Sequence, residues 1–391
     1  FFLADYIRIN TAQPHPDYKS AVSFLKNQAH HDGFVTQEIP LPSGYSALVI
    51  SLLGTDPTLP ALALNHHMDV VSAEHTSDWK YDPFSGIIEN GIMYGRGTQD
   101  MKGVGAVHYA ALKHIKDQAI PLRRTVHILA VPEEEIGGFK GVGQLIHTTE
   151  FKALNIGYAL DEGVSSGNTD FLYIKVGERK PLQLRFTCKG ATAHGSKINC
   201  INVVHTMVTF LSEIAQFQYG QQDKAHQRDP GSLLSMNITS FHAGVIPSGS
   251  KGAAGVNVVP AEATATIDMR VPSSMSMKYA EEFLKNILQK YPTITYEVLA
   301  KVEDYHTPEI VASEFHQALR QSIEKTGLTI KPLFFEATTD LRYYLGQGIE
   351  GFGLTPFTVP ENLHGINEAV SIDDLHRGTT IMEHIINDFC A

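Results

Sequence analysis

The residues most able to do chemistry begin with Pro132-Glu133-Glu134-Glu135-Ile136-Gly137-Gly138, which directly follows the apolar stretch Val126–Val131. Three adjacent carboxylates repel one another and gain little from burial, so at the end of a buried strand they call for a neutralising cation. A solvated acidic turn before a helix is the alternative reading. Three further groups bear on the choice. His67 and Asp69 close the run Leu62-Ala63-Leu64-Asn65-His66-His67-Met68-Asp69. Two residues apart, they project to the same side of an extended chain. A carboxylate holding one ring nitrogen of His67 would leave the other free for a metal. His66 points the other way and reads as a hydrogen-bonded structural histidine. Asp100 precedes a helix running through Ile115, either as an N-cap or as a ligand. Finally, Ile156–Leu160 ends in Asp161-Glu162. Scattered solvent charges have no reason to favour one topological end, and open α/β sheets place their sites there, so the pattern points to a metal-dependent hydrolase.

The elements that must position these groups follow from periodicity. The spacing predicts a helix near residue 3, a Pro-rich break at Gln13-Pro14-His15-Pro16, and a second helix carrying Ala21, Phe24, Leu25 and Ala29. Strands are expected at Tyr45–Leu53, from Leu62, at 125–131 and at Ile156–Leu160, with a helix around 140–148. From Val176 the pattern changes. Leu182, Leu184, Phe186 and Cys188 alternate with Gln183, Arg185, Thr187 and Lys189, which predicts a one-sided antiparallel strand. A helix with Val203, Val204, Met207, Val208, Leu211 and Ile214 apolar, strands 233–241 and 262–271, helix 277–290 and strand 293–302 complete a β-α-β-β-α-β order. The expected fold is α/β, a mixed-sheet catalytic domain (1–176 and 303–391) interrupted by a four-stranded α+β insertion (177–302). After the insertion come a helix at 310–326, a strand at 331–335 and a last strand-and-helix pair.

At 391 residues the chain exceeds what one core normally holds, in keeping with two domains. Its 43% hydrophobic and 19% charged content is ordinary for a globular protein. A net charge of -11 without a basic block argues against nucleic acid or an anionic membrane surface as partner. No stretch approaches a membrane span. The glycines of Tyr94–Gly105 fit neither the dinucleotide fingerprint nor the P-loop. Cys188, Cys200 and Cys390 form neither a disulfide framework nor a thiolate zinc site, which points to a reducing, cytoplasmic compartment. The chain opens at Phe1 without Met, so a cleaved leader stays open; in a secreted form Asn237-Ile238-Thr239 would be a glycosylation acceptor.

Taken together, His67-x-Asp69, Gln99-Asp100-Met101-Lys102, Glu134-Glu135, Asp161-Glu162, Thr338-Thr339-Asp340-x-Arg342 and His364 resemble the dinuclear-zinc amidohydrolase and exopeptidase superfamily. The aminoacylase-1-like pattern is strongest and extends over nearly the whole chain. The segment Leu363–Ala369 is shorter and nearer the desuccinylase-like pattern. The resemblance implies that Asp100 bridges two zinc ions, with cobalt or manganese as substitutes. His67 and Glu162 would complete one ligand set, Glu135 and His364 the other. It makes Glu134 the general base and Asp69 the group that orients His67, and leaves Glu133 a solvated or supporting residue without a role. His194, Asn257 and Arg270 of the insertion would meet the substrate or transition state. Arg342, with Gly351-Phe352-Gly353-Leu354, would receive the substrate's carboxylate. The insertion is implied to act as a lid and dimerisation domain in a homodimer. The activity implied is hydrolysis of a small-molecule N-acyl-L-amino acid. The alternatives are a dipeptidase or carboxypeptidase of the same superfamily, or a non-catalytic scaffold.

Overall fold

The computed structural model describes residues 1–74, 76–244, 257–305, 307 and 312–391. The chain divides into two compact units, one of residues 1–176, 305–333 and 339–391, the other of 177–304 and 334–338. The short segment 334–338 thus joins the second unit, whereas sequence patterning assigns it to the first.

The first unit is built on an eight-stranded mixed sheet. In spatial order its strands are Val35–Pro40, Ser46–Leu52, Val126–Val131, Ala61–His67, Ile156–Asp161, Glu350–Gly353, Phe171–Glu178 and Thr329–Phe335. The four central strands, from Val126–Val131 to Glu350–Gly353, are parallel, and the pairs flanking them are antiparallel. Ala61–His67 and Val126–Val131 are buried at every position. That is why both are rich in apolar residues, Ala61–Leu64 in one and Ile128–Val131 in the other, since crossover helices cover both faces of a parallel sheet. Register aligns His67 with Val131 and Leu64 with Leu160. The acidic turn after Val131, the end of the His67 strand and Glu162 therefore leave the sheet at the same C-terminal edge.

Helix Lys102–Asp117 packs against the Ala61–His67 strand and against the C-terminal helix Ile372–Cys390. Gly105 on its second turn lies so close to His66 that a Cβ there would come within 2.5 Å of the ring. The helix's N-cap is Met101, with no side-chain cap bond. Asp100 is thus released from the capping role that local sequence allows.

The second unit contains a four-stranded antiparallel sheet, ordered Ser235–Ala243, Glu262–Val271, Lys180–Lys189, Ile294–Lys301. Leu182, Leu184, Phe186 and Cys188 are buried and pack in one cluster with Met207, Phe210 and Ile214 of helix Val203–Ala225 and Ala280, Leu284 and Ile287 of helix Met277–Leu288. Period-two alternation is the cause: one face takes both helices and the other is left polar. Among the described residues, no helix is long and apolar enough to cross a membrane.

Candidate metal centre

The Ala61–His67 strand delivers His67 wholly buried, with its Nε2 3.1 Å from Asp100 Oδ1 and 3.7 Å from Glu162 Oε2. Asp100's other oxygen, Oδ2, lies 3.1 Å from His364 Nε2, and that nitrogen is 3.2 Å from Glu135 Oε2. One carboxylate therefore faces two imidazoles through its two oxygens, each imidazole accompanied by a further carboxylate. Ligand atoms of His67, Asp100 and Glu135 fall within 4.8 Å of one another, and so do those of His67, Glu134 and Glu162.

The electrostatics show how strongly this cluster wants positive charge. Burial, then the neighbouring Asp100, pushes Glu162 up to about 8. Burial and the nearby Glu162 carboxylate hold Glu134 well above the usual carboxylate range. Hydrogen bonds to Asp100 and Glu135 lift His364 to about 10. For His67, desolvation is overcome by hydrogen bonds to Asp100 and Glu162, so its pKa is also raised. Asp100 is itself buried, yet the two histidines hold its carboxyl below its ordinary range. In this arrangement protons do the work that cations would do, and the donor set, carboxylate and imidazole without thiolate, suits a borderline divalent ion.

Asp69 departs from expectation. His67 Nδ1 lies 2.9 Å from the Asp69 backbone oxygen, while the carboxylate is 3.8 Å away. The carboxylate instead accepts from the main-chain N–H of Glu134 (3.1 Å) and Glu135 (3.2 Å) and from Gln13 Nε2 (2.8 Å). These orphan donors at the start of the turn out-compete the ring, whose nitrogen is already met by a closer carbonyl. Glu133 is buried rather than solvated. Its N–H donates to Tyr18 Oη (2.8 Å), its carboxylate accepts from Lys140 N–H, and it stands at φ 73°. The strained residue turns the chain so that Glu134 and Glu135 face the cluster.

Arg342 also departs from expectation. It is buried, and its guanidinium donates to the Thr339 (2.6 Å) and Gly137 carbonyls and to Tyr343 Oη (3.2 Å). Gly351, Phe352, Gly353 and Leu354 are likewise buried, three of them in the sheet. Arg342 and Tyr343 both donate to the Gly137 carbonyl and so fix the floor under the acidic turn. Beneath them Asp340 is fully buried, and burial followed by Asp161 pushes its carboxyl well above the ordinary range. Asn65 donates to Asp161 (2.9 Å) and accepts from Tyr344 Oη (2.8 Å).

In the second unit His194 and Asn257 are exposed neighbours across a short ladder, where Ala193–His194 pairs with Val258–Val259. His194 Nδ1 is 2.7 Å from Ser196 Oγ. Arg270 is paired with Asp268 at 3.0 Å. Of the motif around Asn257, Gly255 and Val256 lie outside the described residues.

Two residues to which no sequence signal gives a role complete the site. Glu368 is wholly buried and pairs with Arg96 at 2.9 Å. They stand 272 positions apart, so no local spacing could join them. Gln13 and Tyr18 flank the Pro-rich break, and their side chains carry no sequence signal of their partners Asp69 and Glu133.

Residues 63–388 match peptidase family M20/M25/M40. The chain belongs to that family. Aminoacylase-1 of Mus musculus is 33% identical over 98% of this chain and 93% of its own length. Among solved structures, an M20 metallo-carboxypeptidase from Sulfolobus solfataricus superposes with a TM-score of 0.75 at 20% identity, covering 98% of this chain and 97% of that one. A dinuclear metal-binding M20 peptidase from Bacillus subtilis does so at 0.67 and 13%, covering 98% and 96%. The mixed α/β architecture with a separate antiparallel sheet is that of M20 proteins, and this M20 chain is a metal-dependent amidohydrolase.

Proposed function

We propose that this M20 enzyme releases a free L-amino acid and a carboxylate from small N-acyl-L-amino acids, with two zinc ions as cofactors. The observation that carries the reading is Asp100, whose two oxygens each stand 3.1 Å from a different imidazole. His67 and Glu162 would hold one ion with Asp100, and Glu135 and His364 the other. When bound, the ions supply Lewis-acid polarisation of the scissile carbonyl and acidify the attacking water. Glu134 takes that water's proton and returns it to the leaving nitrogen. Its neighbour's N–H and its own are fixed on Asp69, so the side chain enters the site already oriented.

His194, in the second unit, is our donor for the developing oxyanion, and loss of one such donor costs about 10²–10³ in rate. Asn257 and Arg270 are assigned to substrate contact, and the second unit to lid and dimer formation in a homodimer. The cysteines Cys188, Cys200 and Cys390 are all free, which supports a reducing, cytoplasmic setting.

The test is a substrate panel on zinc-loaded protein, comparing N-acetyl, long-chain N-acyl and dipeptide substrates alongside Glu134→Gln. Preferred cleavage of N-acyl amino acids, with at least a hundredfold loss of kcat and unchanged metal content in the variant, is expected. Preferred dipeptide cleavage would make this M20 chain a peptidase. Residual activity within about tenfold of wild type would remove Glu134 from the base role.

A further inference from the structure

The loop Gly95–Asp100 and the segment 360–369 carry Asp100 and His364, and both are laced to one buried ion pair. Glu368 accepts from the main-chain N–H of Gly97 (3.1 Å), Gln99 (2.7 Å) and Asp100 (3.2 Å) as well as from Arg96 Nη1 (2.9 Å). Arg96 in turn donates to the carbonyls of His364 and Gly365, each at 3.1 Å. Its guanidinium carbon lies over the Trp79 ring, 5.1 Å from the centroid. Gln99 adds a second tie, donating to the Pro360 (3.2 Å) and Ala369 (2.8 Å) carbonyls. A carboxylate that accepts three backbone N–H groups and a guanidinium is fully satisfied despite its burial, so the pair holds both loops at fixed distance.

His364 needs this support more than any other ligand candidate. Its side chain is 56% exposed and its backbone stands at φ 60°, off the regular sheet. Strand register does not place it; its ring meets Asp100 and Glu135, and the grip of Arg96 on its carbonyl holds the backbone that brings the ring there. His67 and Glu162, by contrast, sit at the ends of paired central strands and owe nothing to Arg96.

We propose that Arg96 and Glu368 are positioning residues that act chiefly on one ion, that of Asp100, Glu135 and His364: they hold both the shared Asp100 and the His364 carbonyl of that ion's set, but only Asp100 of the other's. This rests on the two-ion reading above. Zinc titrations of the full chain by calorimetry and by mass spectrometry of bound metal test it. Wild type binding fewer than two ions would defeat the two-ion reading itself, apart from any role of the pair. Given two, Glu368→Gln is placed in a Glu162→Gln background, which leaves the Glu135–His364 ion, and in a Glu135→Gln background, which leaves the His67–Glu162 ion. The expected result is about tenfold to hundredfold weaker binding of the remaining ion in the first background and a clearly smaller loss in the second, where only the shared Asp100 is affected. Arg96→Lys, which keeps the charge but loses the fork, gives the same asymmetry more mildly and serves should Glu368→Gln fold poorly. Equal weakening in both backgrounds, weakening only in the second, or no weakening in either overturns the proposal.

Discussion

His67 and His364 each bring a ring nitrogen to 3.1 Å from Asp100, yet one is wholly buried at a strand end and the other is more than half exposed on a loop. The difference separates two ways of holding a ligand. His67 is placed by sheet register and would cost the fold dearly to disturb. His364 is placed by Arg96's hydrogen bonds to its main chain and by its ring's contacts with Asp100 and Glu135, while more than half of its side chain stays outside the core. A centre built half on each has one ion tied to stability and one tied to the lacing of two loops.

The largest expected effect would break the symmetry of the two histidines outright. His67→Ala leaves a cavity, takes the imidazole from buried Glu162 and one of two imidazoles from Asp100, and should lower stability by about 3 kcal/mol as well as abolish turnover. His364→Ala should abolish turnover with a smaller loss of stability, since its ring is more than half exposed and leaves no cavity, and urea unfolding of the metal-free proteins reads the contrast. Next comes Asp69→Asn. Since the Asp69 backbone oxygen holds His67, the His67–Glu162 ion should stay bound. The Glu134–Glu135 turn loses an acceptor, so kcat should fall about 10–100-fold with little change in KM. Loss of the His67–Glu162 ion instead would restore the carboxylate to the orienting role.

The comparison sharpens with pH. Glu162 is raised to about 8, His364 to about 10, and His67 is raised as well, so each binds its proton more tightly in the folded chain. Stability from such groups is fully present below their ordinary values and is lost as pH rises through the folded ones. For Glu162 that window runs from 4.5 to about 8, and for His364 from 6.5 to about 10. Asp100 has the opposite sign and loses its contribution only in strong acid. Metal-free protein should therefore lose stability between about pH 4.5 and 10, while bound metal, freed from proton competition, compensates. The Tm gap between zinc-loaded and chelated protein should widen across that range by on the order of a few degrees. The smallest effect is Tyr18→Phe, which leaves the Glu133 N–H without its acceptor and should cost about 1 kcal/mol with a severalfold fall in kcat.

What could be seen beforehand follows the same division. The central strands and the order of the insertion were legible because Val126–Val131 is mostly apolar and Lys180–Lys189 alternates, whereas the strands Val35–Pro40 and Phe171–Glu178 carry no such pattern and were not expected. His67, Glu135 and Glu162 were legible because they cluster at strand ends, while His364, on a loop, was pointed to only by the resemblance. The roles of Asp69 and Arg342 were not, since both depend on which orphan backbone groups lie nearby in three dimensions. Arg96 and Glu368 were invisible for a stronger reason: their partnership joins remote loops, and neither residue is unusual in its own neighbourhood. Glu133 looked idle because a string of three identical side chains hides a reversal of the backbone between the first and the next.

Gly105 has one more consequence, for anyone seeking a hardier version of this protein. Replacing a mid-helix glycine by alanine ordinarily raises stability by up to about 1 kcal/mol, and Lys102–Asp117 offers an obvious target. Here the added methyl would strike the His66 ring, one residue from His67 on the same strand. The missing side chain at that point is the clearance that lets His66 pack against the helix, so thermostabilising libraries should leave Gly105 untouched.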